Sequence, residues 1–251
     1  MMEETKKEEP FMQLNGMEYN DYNDQSLGTY TGESIGLYTA KAFFWMFLGL
    51  LTTFGVAFFG YATGSILYVF AIPYFHIVLL VIQLGVVFFL SARLHKLRVG
   101  TARALFFVYA AVTGVVFSAY FLIFSMLSLI LVFAMTAVYF GVMALYGYRT
   151  QTDLTRLRPI LVGGLIFLIV CGLLSMFLPL GMADRVICLV GVAIFLGFTA
   201  YDTQKIKAFY TAYQGDQAML ERASIYSALE LYLDFINLFL YLLRFLGKSK
   251  K

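Results

Sequence analysis

The stretch that decides the fold is residues 228–246, ALELYLDFINLFLYLLRFL, an apolar segment that also carries charged and polar side chains. At about 100° per residue of helix, these side chains fall within one stripe roughly 80° wide. The stripe consists of Glu230, Asp234, Asn237, Tyr241 and Arg244. Because polar groups are costly in lipid, such a helix must turn its stripe toward protein or water. Its other faces are apolar as well, so we expect other helices to surround it.

The composition of the whole chain excludes a soluble globular protein. Of its 251 residues, 61% are hydrophobic and only 13% are charged, whereas soluble domains average about 45–50% and about 25%. A net charge of +3 with scattered basic residues argues against nucleic-acid binding. Cys171 and Cys188 both lie in apolar stretches, so a disulfide scaffold is not expected.

Long apolar runs separated by short polar ones predict an all-α integral membrane protein. A membrane-spanning helix needs about 20 apolar residues. Seven candidate transmembrane helices meet this description: 42–63, 74–92, 104–124, 126–148, 159–180, 185–203 and 228–246. The seven-helix domain would occupy residues 41–247, followed by a basic tail at 248–251.

Lysine and arginine in the connections set the orientation. The connections 93–103, 149–158 and 204–227 are basic, whereas 64–73 and 125–128 contain neither residue. This alternation predicts a cytoplasmic N-terminus. Residues 1–40 carry eight acids and two lysines, a net charge of −6, which indicates a mostly disordered cytosolic arm without a signal peptide. A full seventh span would place the basic tail outside, so either the last helix is re-entrant or the tail violates the rule.

A second acid, Asp202, lies in the segment 195–207, FLGFTAYDTQKIK. Taken alone, it is expected to be a solvated residue at the end of the sixth helix, paired with Lys205. If Asp202 and Asp234 meet in a low-dielectric site, however, they cannot both ionise cheaply and would share a proton. Calcium could replace that proton, because it favours carboxylate oxygens. The spacing alone does not establish that the two acids meet.

Segments 195–207 and 229–247 resemble the two signature motifs of the Bax inhibitor-1 family, also called transmembrane Bax-inhibitor-motif proteins. The short loops and acidic start resemble its bacterial branch, which implies the bacterial inner membrane. The resemblance implies six helices around a central seventh and a pH-sensitive calcium leak. The family's paired aspartates correspond to Asp202 and Asp234, which are proposed to share a proton in the closed state. Some bacterial relatives instead modulate a membrane-bound protease.

Two positions in the second predicted helix bear on this resemblance. Arg93 is similar to a family arginine thought to latch onto the paired aspartates, although it equally fits a cytosolic positive-inside charge. Gln83 stands where many relatives carry a glutamate, so a role that requires a charge there is not expected.

Three functions follow as hypotheses. The first is a pH-gated calcium leak, with protons and Ca²⁺ as its ligands, no cofactor, and transient Ca²⁺ binding at Asp202 and Asp234. The second is an interaction protein that presents the acidic arm 1–40 to a membrane protease or another membrane partner. The third, an enzyme, is not expected: Tyr201 and Asp202 resemble one motif of intramembrane aspartyl proteases, but the second motif, Gly-Leu-Gly-Asp, is absent.

Overall fold

The computed structural model describes residues 33–73, 75–93, 96–175, 177–178 and 181–248, and this part of the chain is almost entirely helical. The long helices are α1 (Ile35–Ala62), α2 (Phe75–Arg93), α3 (Val99–Ile123), α4 (Met126–Arg149), α5 (Arg158–Ser175), α6 (Met182–Ala212) and α7 (Gln217–Leu246). A short helix, Ser65–Ala71, lies between α1 and α2, and a 3-10 turn, Leu154–Leu157, precedes α5.

The first helix begins earlier than predicted. Ser34 caps α1 by accepting a hydrogen bond from the backbone nitrogen of Leu37 at 3.3 Å. One turn later Tyr38 is fully buried, and its ring packs on that of Tyr210 with 5.5 Å between centroids. The boundary predicted at residue 40 therefore falls inside α1, because the cap and this aromatic contact stabilise the extra turn. Residues 1–32 of the predicted arm lie outside the described residues.

Within the part of the chain that the structure describes, five helical segments are long and apolar enough to cross a membrane, which supports the prediction of an all-α integral membrane protein. They are α1, α3, α4, α6 and the segment Leu154–Ser175 that contains α5. The last helix, α7, carries Glu230, Asp234 and Arg244 within its apolar part, so it is less suited to insert alone. That all seven predicted helices cross the membrane stays a prediction.

The last helix is the most enclosed element of the described chain. It packs against α1, α3, α4 and α6, and residues from all around its circumference are buried. By contrast, α2 packs mainly on α3, and α5 packs mainly on α6. A ring of six helices around α7 therefore stays a prediction, whereas the expectation that other helices enclose its apolar faces agrees with the packing.

Glycine allows the closest approach between two helices that flank the last one. At Gly147 of α4, an added Cβ would collide with the backbone carbonyl of Ala200 in α6. This contact lies two residues before Asp202, so it fixes how closely α4 approaches the middle of α6.

The two ends of α7 lie at opposite ends of the bundle. Near its start, Arg222 donates to the carbonyl of Leu97, in the basic connection before α3, at 3.2 Å. Beyond its end, the carbonyl of Lys248 accepts from the backbone nitrogen of Ser125 at 3.3 Å, in the α3–α4 turn. Since the turn and the basic connection are at opposite ends of α3, α7 runs the full length of the bundle. Whether α7 crosses the membrane fully or is re-entrant stays a prediction.

Candidate functional site

The polar stripe of α7 faces α6 along most of its length. Glu230 contacts Lys205, Asp234 contacts Asp202, Tyr241 stacks on Phe195, and Arg244 pairs with Asp184. Positions on α6 decrease as positions on α7 increase, so the two helices are antiparallel and the stripe forms a ladder of contacts between them. The stripe was predicted from periodicity; the structure identifies its partner helix.

Asp202 and Asp234 meet at the middle of this ladder. Both are buried, with 7% and 4% of their surface exposed, and their carboxyl groups lie within hydrogen-bonding reach of each other. The Oδ2 atom of Asp234 has no hydrogen-bond partner among the described residues when both acids are treated as acceptors. A proton shared between the two carboxyls would satisfy that oxygen, because a carboxyl donates only when it is protonated.

The expected placement of Asp202 at a solvated helix end is wrong. The α6 helix continues ten residues beyond it to Ala212, and Thr203, Ile206 and Phe209 are buried along this extension. The polar residues after Asp202 belong to a helical face that packs against protein, so a fall in hydropathy here does not mark the end of the helix.

The lysine next to this pair has a different main partner from the one predicted. Lys205 forms an ion pair with Glu230, with 2.6 Å between Nζ and Oε1, instead of with Asp202. Its ammonium also lies over the rings of Phe209 and Tyr226, at 5.2 and 5.4 Å from their centroids. These contacts hold the charge by cation–π attraction as well as by the carboxylate. Glu230 is thus a partnered residue in the interior rather than a solvated one.

A cavity of about 270 Å³ adjoins the aspartate pair. Its polar lining comes from α6 and α7, and Val87 of α2 and Leu165 of α5 contribute apolar side chains. The polar lining comprises Asp202, Asp234, Glu230, Asn237 and Tyr226. No three His, Cys, Asp or Glu side chains of the described residues cluster closely enough to hold a metal ion. Transient binding of Ca²⁺ at Asp202 and Asp234 stays a prediction.

Asn237 connects this cavity to a second one farther along α7. The second cavity has a volume of about 290 Å³ and is lined by Tyr120, Phe124, Asn237, Leu240, Tyr241, Leu243 and Arg244. Asn237 donates to the carbonyl of Leu233, one turn earlier, at 2.8 Å, which leaves its side-chain oxygen free to accept a hydrogen bond. At the far end, Arg244 forms two hydrogen bonds with Asp184, the one from its Nε measuring 3.0 Å.

Neither of the two residues singled out in the second helix lines the cavity beside the aspartate pair. Arg93 is exposed, and its guanidinium lies 5.9 Å from the ring centroid of Phe89. It does not line the cavity beside the pair, so the latch stays a prediction. Gln83 is half-buried and donates to the hydroxyl of Thr113 at 3.0 Å, a contact that ties α2 to α3.

The ladder also includes Asp184 of α6, for which no role is predicted from the sequence. Gln204 of α6, which contacts the α4–α5 connection instead of α7, is likewise not predicted. A helical wheel of α6 would have placed Lys205 near the face of Asp202, since residues three apart are neighbours. Asp184 lies eighteen positions before Asp202, and at about 100° per residue this also returns to the same face. The polar stripe of α6 was thus detectable, once the helix was extended past residue 203.

Comparison with known proteins shows which family the sequence matches. The family profile described as "Inhibitor of apoptosis-promoting Bax1" matches residues 37–251. An uncharacterized protein of Borreliella burgdorferi is 41% identical over 84% of this chain and 91% of its own length. The inner membrane protein YbhL of Escherichia coli K12 is 38% identical over 84% of this chain and 91% of its own. The matched region begins within α1 and includes both segments of the α6–α7 ladder.

Proposed function

The chain belongs to the Bax inhibitor-1 family, and on that premise we propose that it is a pH-sensitive cation leak, most readily for Ca²⁺, gated by Asp202 and Asp234. It lies in the bacterial inner membrane, as its similarity to an inner membrane protein of Escherichia coli suggests. Its seven long helices cross the membrane with the N-terminus in the cytoplasm. It is not an enzyme and needs no cofactor; protons and the permeant cation are its ligands.

The observation that carries this proposal is the contact between two buried carboxyl groups beside a cavity. With one shared proton, the pair is held together by a hydrogen bond and carries a single negative charge. Loss of that proton leaves two adjacent carboxylates that repel each other in a low-dielectric site. The repulsion favours a separated arrangement of α6 and α7, in which a cation takes the place of the proton.

The arrangement of polar groups along α7 supports a route for the cation. The two cavities both touch Asn237, whose side chain offers an oxygen to a passing ion. The ion pair between Arg244 and Asp184 lies at the end of this route. The carboxylates and amide oxygen are the kind of ligands that Ca²⁺ prefers.

The test is Ca²⁺ influx into dye-loaded proteoliposomes at several pH values around neutrality. We expect wild-type flux to vary with pH, and both Asp202→Asn and Asp234→Asn to lose that variation, because an amide cannot exchange the shared proton. Asp216→Asn is the matched control: Asp216 caps α7 through a 2.9 Å hydrogen bond from the nitrogen of Met219, and asparagine caps equally well. Flux whose pH dependence survives Asp234→Asn contradicts the proposal.

The second candidate is an interaction protein that modulates a membrane-bound protease or another membrane partner. It is favoured by the way the acidic arm joins the bundle. Tyr210 donates to the carbonyl of Glu33 at 2.6 Å, and Lys41 pairs with the Glu33 carboxylate at 3.6 Å. Glu33, the first described residue, is therefore held against the bundle on the face that we expect to be cytoplasmic.

Deleting residues 1–32 separates the two candidates. This truncation retains Glu33 and the Ser34 cap, so the bundle should fold. The interaction function predicts that the truncated chain loses its effect on a partner protease while its ion flux is unchanged. Unaltered protease behaviour together with altered flux would favour the leak alone.

A further inference from the structure

The connection between α4 and α5, residues 149–158, is a basic loop that hydrogen bonds hold in one conformation. Gln204 of α6 accepts from the backbone nitrogen of Leu154 and donates to the carbonyl of Thr152, both at 2.9 Å. Within the loop, Asp153 accepts from the nitrogen and the hydroxyl of Thr155 at 2.9 and 2.8 Å. The loop backbone is thus hydrogen-bonded to α6 at two points.

The charge on this loop is strongly one-sided. Arg149, Arg156 and Arg158 are all exposed, and Asp153 is the single acid in residues 149–158. Both carboxylate oxygens of Asp153 are turned toward Thr155. The ammonium of Lys207 lies nearby on α6, 4.7 Å from the ring centroid of Tyr148. Arg149 and Arg156 therefore present two exposed guanidinium groups on this loop.

Exposed apolar side chains lie directly beside these arginines. Tyr146 near the end of α4, Leu157 in the 3-10 turn and Ile160 at the start of α5 are exposed. On a membrane protein, such a face is covered by acyl chains, and tyrosine marks the level of the headgroups. A ligand that contacts both the arginines and the apolar side chains must carry a negative charge next to a hydrocarbon chain.

We propose that loop 149–158 is a docking surface for the headgroup of an anionic phospholipid of the cytoplasmic leaflet. Guanidinium groups match the oxygens of a phosphate through paired donors, and basic pockets between membrane helices bind such headgroups. The acyl chains would lie along Tyr146, Leu157 and Ile160. A soluble phosphate would contact the arginines but would have no acyl chains to pack on the apolar side chains. The surface therefore favours the lipid.

This binding site is independent of the proposed leak but close to its gate. Gln204, which holds the loop, lies two residues after Asp202 on α6, and Arg158 is within electrostatic reach of Asp202. A bound headgroup would therefore be tied to the helix that carries one of the paired acids. Lipid retention can be measured without any ion flux, so failure of one proposal leaves the other standing.

The test is native mass spectrometry of the purified full chain with added phosphatidylglycerol or phosphatidylcholine of the same acyl chains. We expect preferential retention of phosphatidylglycerol. The double variant Arg149→Gln/Arg156→Gln should bind it about tenfold more weakly or worse, since each surface arginine contributes a several-fold attraction to anionic lipid. The matched control, Lys96→Gln/Arg98→Gln, removes two exposed basic residues from another predicted cytoplasmic connection, 93–103, and should retain the lipid.

Three outcomes overturn the proposal. Equal loss of lipid in both double variants would mean that the basic face attracts lipid only through its diffuse charge. Equal retention of phosphatidylcholine by the wild type would mean that no headgroup is recognised, and this comparison stands even if a variant fails to fold. Displacement of phosphatidylglycerol by inorganic phosphate at a similar concentration would assign the site to a soluble anion.

Discussion

Lys205 and Glu230 form an ion pair in which each charge depends on the other. Their side chains are only 20% and 17% exposed. Glu230→Gln leaves the ammonium of Lys205 without its principal carboxylate, and removing one partner of a buried pair costs about 3–5 kcal/mol. We expect the free energy of unfolding to fall by an amount near the lower end of this range, because cation–π contacts with Phe209 and Tyr226 remain. Denaturation in detergent followed by circular dichroism measures it.

The control for this prediction is Glu221→Gln. Glu221 pairs with Arg103 at 2.8 Å, but these side chains are 29% and 38% exposed. Solvent screens such a pair, so the expected loss is about 0.2–1 kcal/mol. Similar losses in the two variants would show that the Lys205–Glu230 pair is no better shielded from water than the outer one.

For individual residues, the sequence was sufficient to identify the polar stripe of α7 but not the residues that the stripe contacts. The spacing of Glu230, Asp234 and Arg244 defines the stripe by itself, because helical geometry is regular. The partner of each residue depends on how far α6 is shifted along its axis relative to α7. No local sequence pattern encodes this shift. The meeting of Asp202 with Asp234 was therefore an inference from family resemblance, and Lys205 was first assigned to the nearer acid in sequence.

Among the helices, the contact between α4 and α6 depends on a missing side chain. Gly147→Ala would place a methyl group against the backbone carbonyl of Ala200, which cannot rotate away. We expect α4 to move outward and the free energy of unfolding to fall by about 1–3 kcal/mol, the usual cost of overpacking. Gly141→Ala on the same helix is the control, since nothing lies within 4 Å of its added Cβ.

The control variant should be neutral or gain up to about 1 kcal/mol, because alanine favours helix more than glycine does. Thermal unfolding of both proteins in the same detergent makes the comparison. A Gly147→Ala protein as stable as Gly141→Ala would mean that the α4–α6 approach is not tight.

Helix boundaries show where hydropathy stops being informative. The predicted span 126–148 nearly coincides with α4, whereas 104–124 omits the first five residues of α3. The sixth and seventh predictions, 185–203 and 228–246, are much shorter than α6 and α7. Both helices extend through residues that are polar yet packed against protein, and a hydropathy pattern cannot distinguish such residues from a solvated loop.

For the whole molecule, the course of α7 predicts the side on which the chain ends. Lys248 lies beside the α3–α4 turn, at the end of the bundle opposite the basic connections. With the N-terminus in the cytoplasm, the C-terminus then emerges outside, against the positive-inside rule. An alkaline phosphatase fused to the C-terminus should be active in cells, and green fluorescent protein fused there should be dark.

Truncated fusions after residue 152, in the α4–α5 loop, provide the opposite expectation. Here alkaline phosphatase should be inactive and green fluorescent protein bright, because this basic loop is cytoplasmic in the predicted orientation. Fluorescence from the full-length fusion would place both termini on one side and exclude seven complete crossings.

The ladder between α6 and α7 also bears on how the protein is made. While the ribosome is still producing the last helix, α6 has to enter the bilayer with Asp184, Asp202 and Lys205 unmatched. The α7 helix, which carries their counterparts, is itself less suited to insert alone. The two segments are therefore expected to leave the translocon as one antiparallel unit. Nascent chains that stop before α7 would display unmatched charges within the membrane, the kind of signal by which quality-control proteases distinguish unfinished proteins.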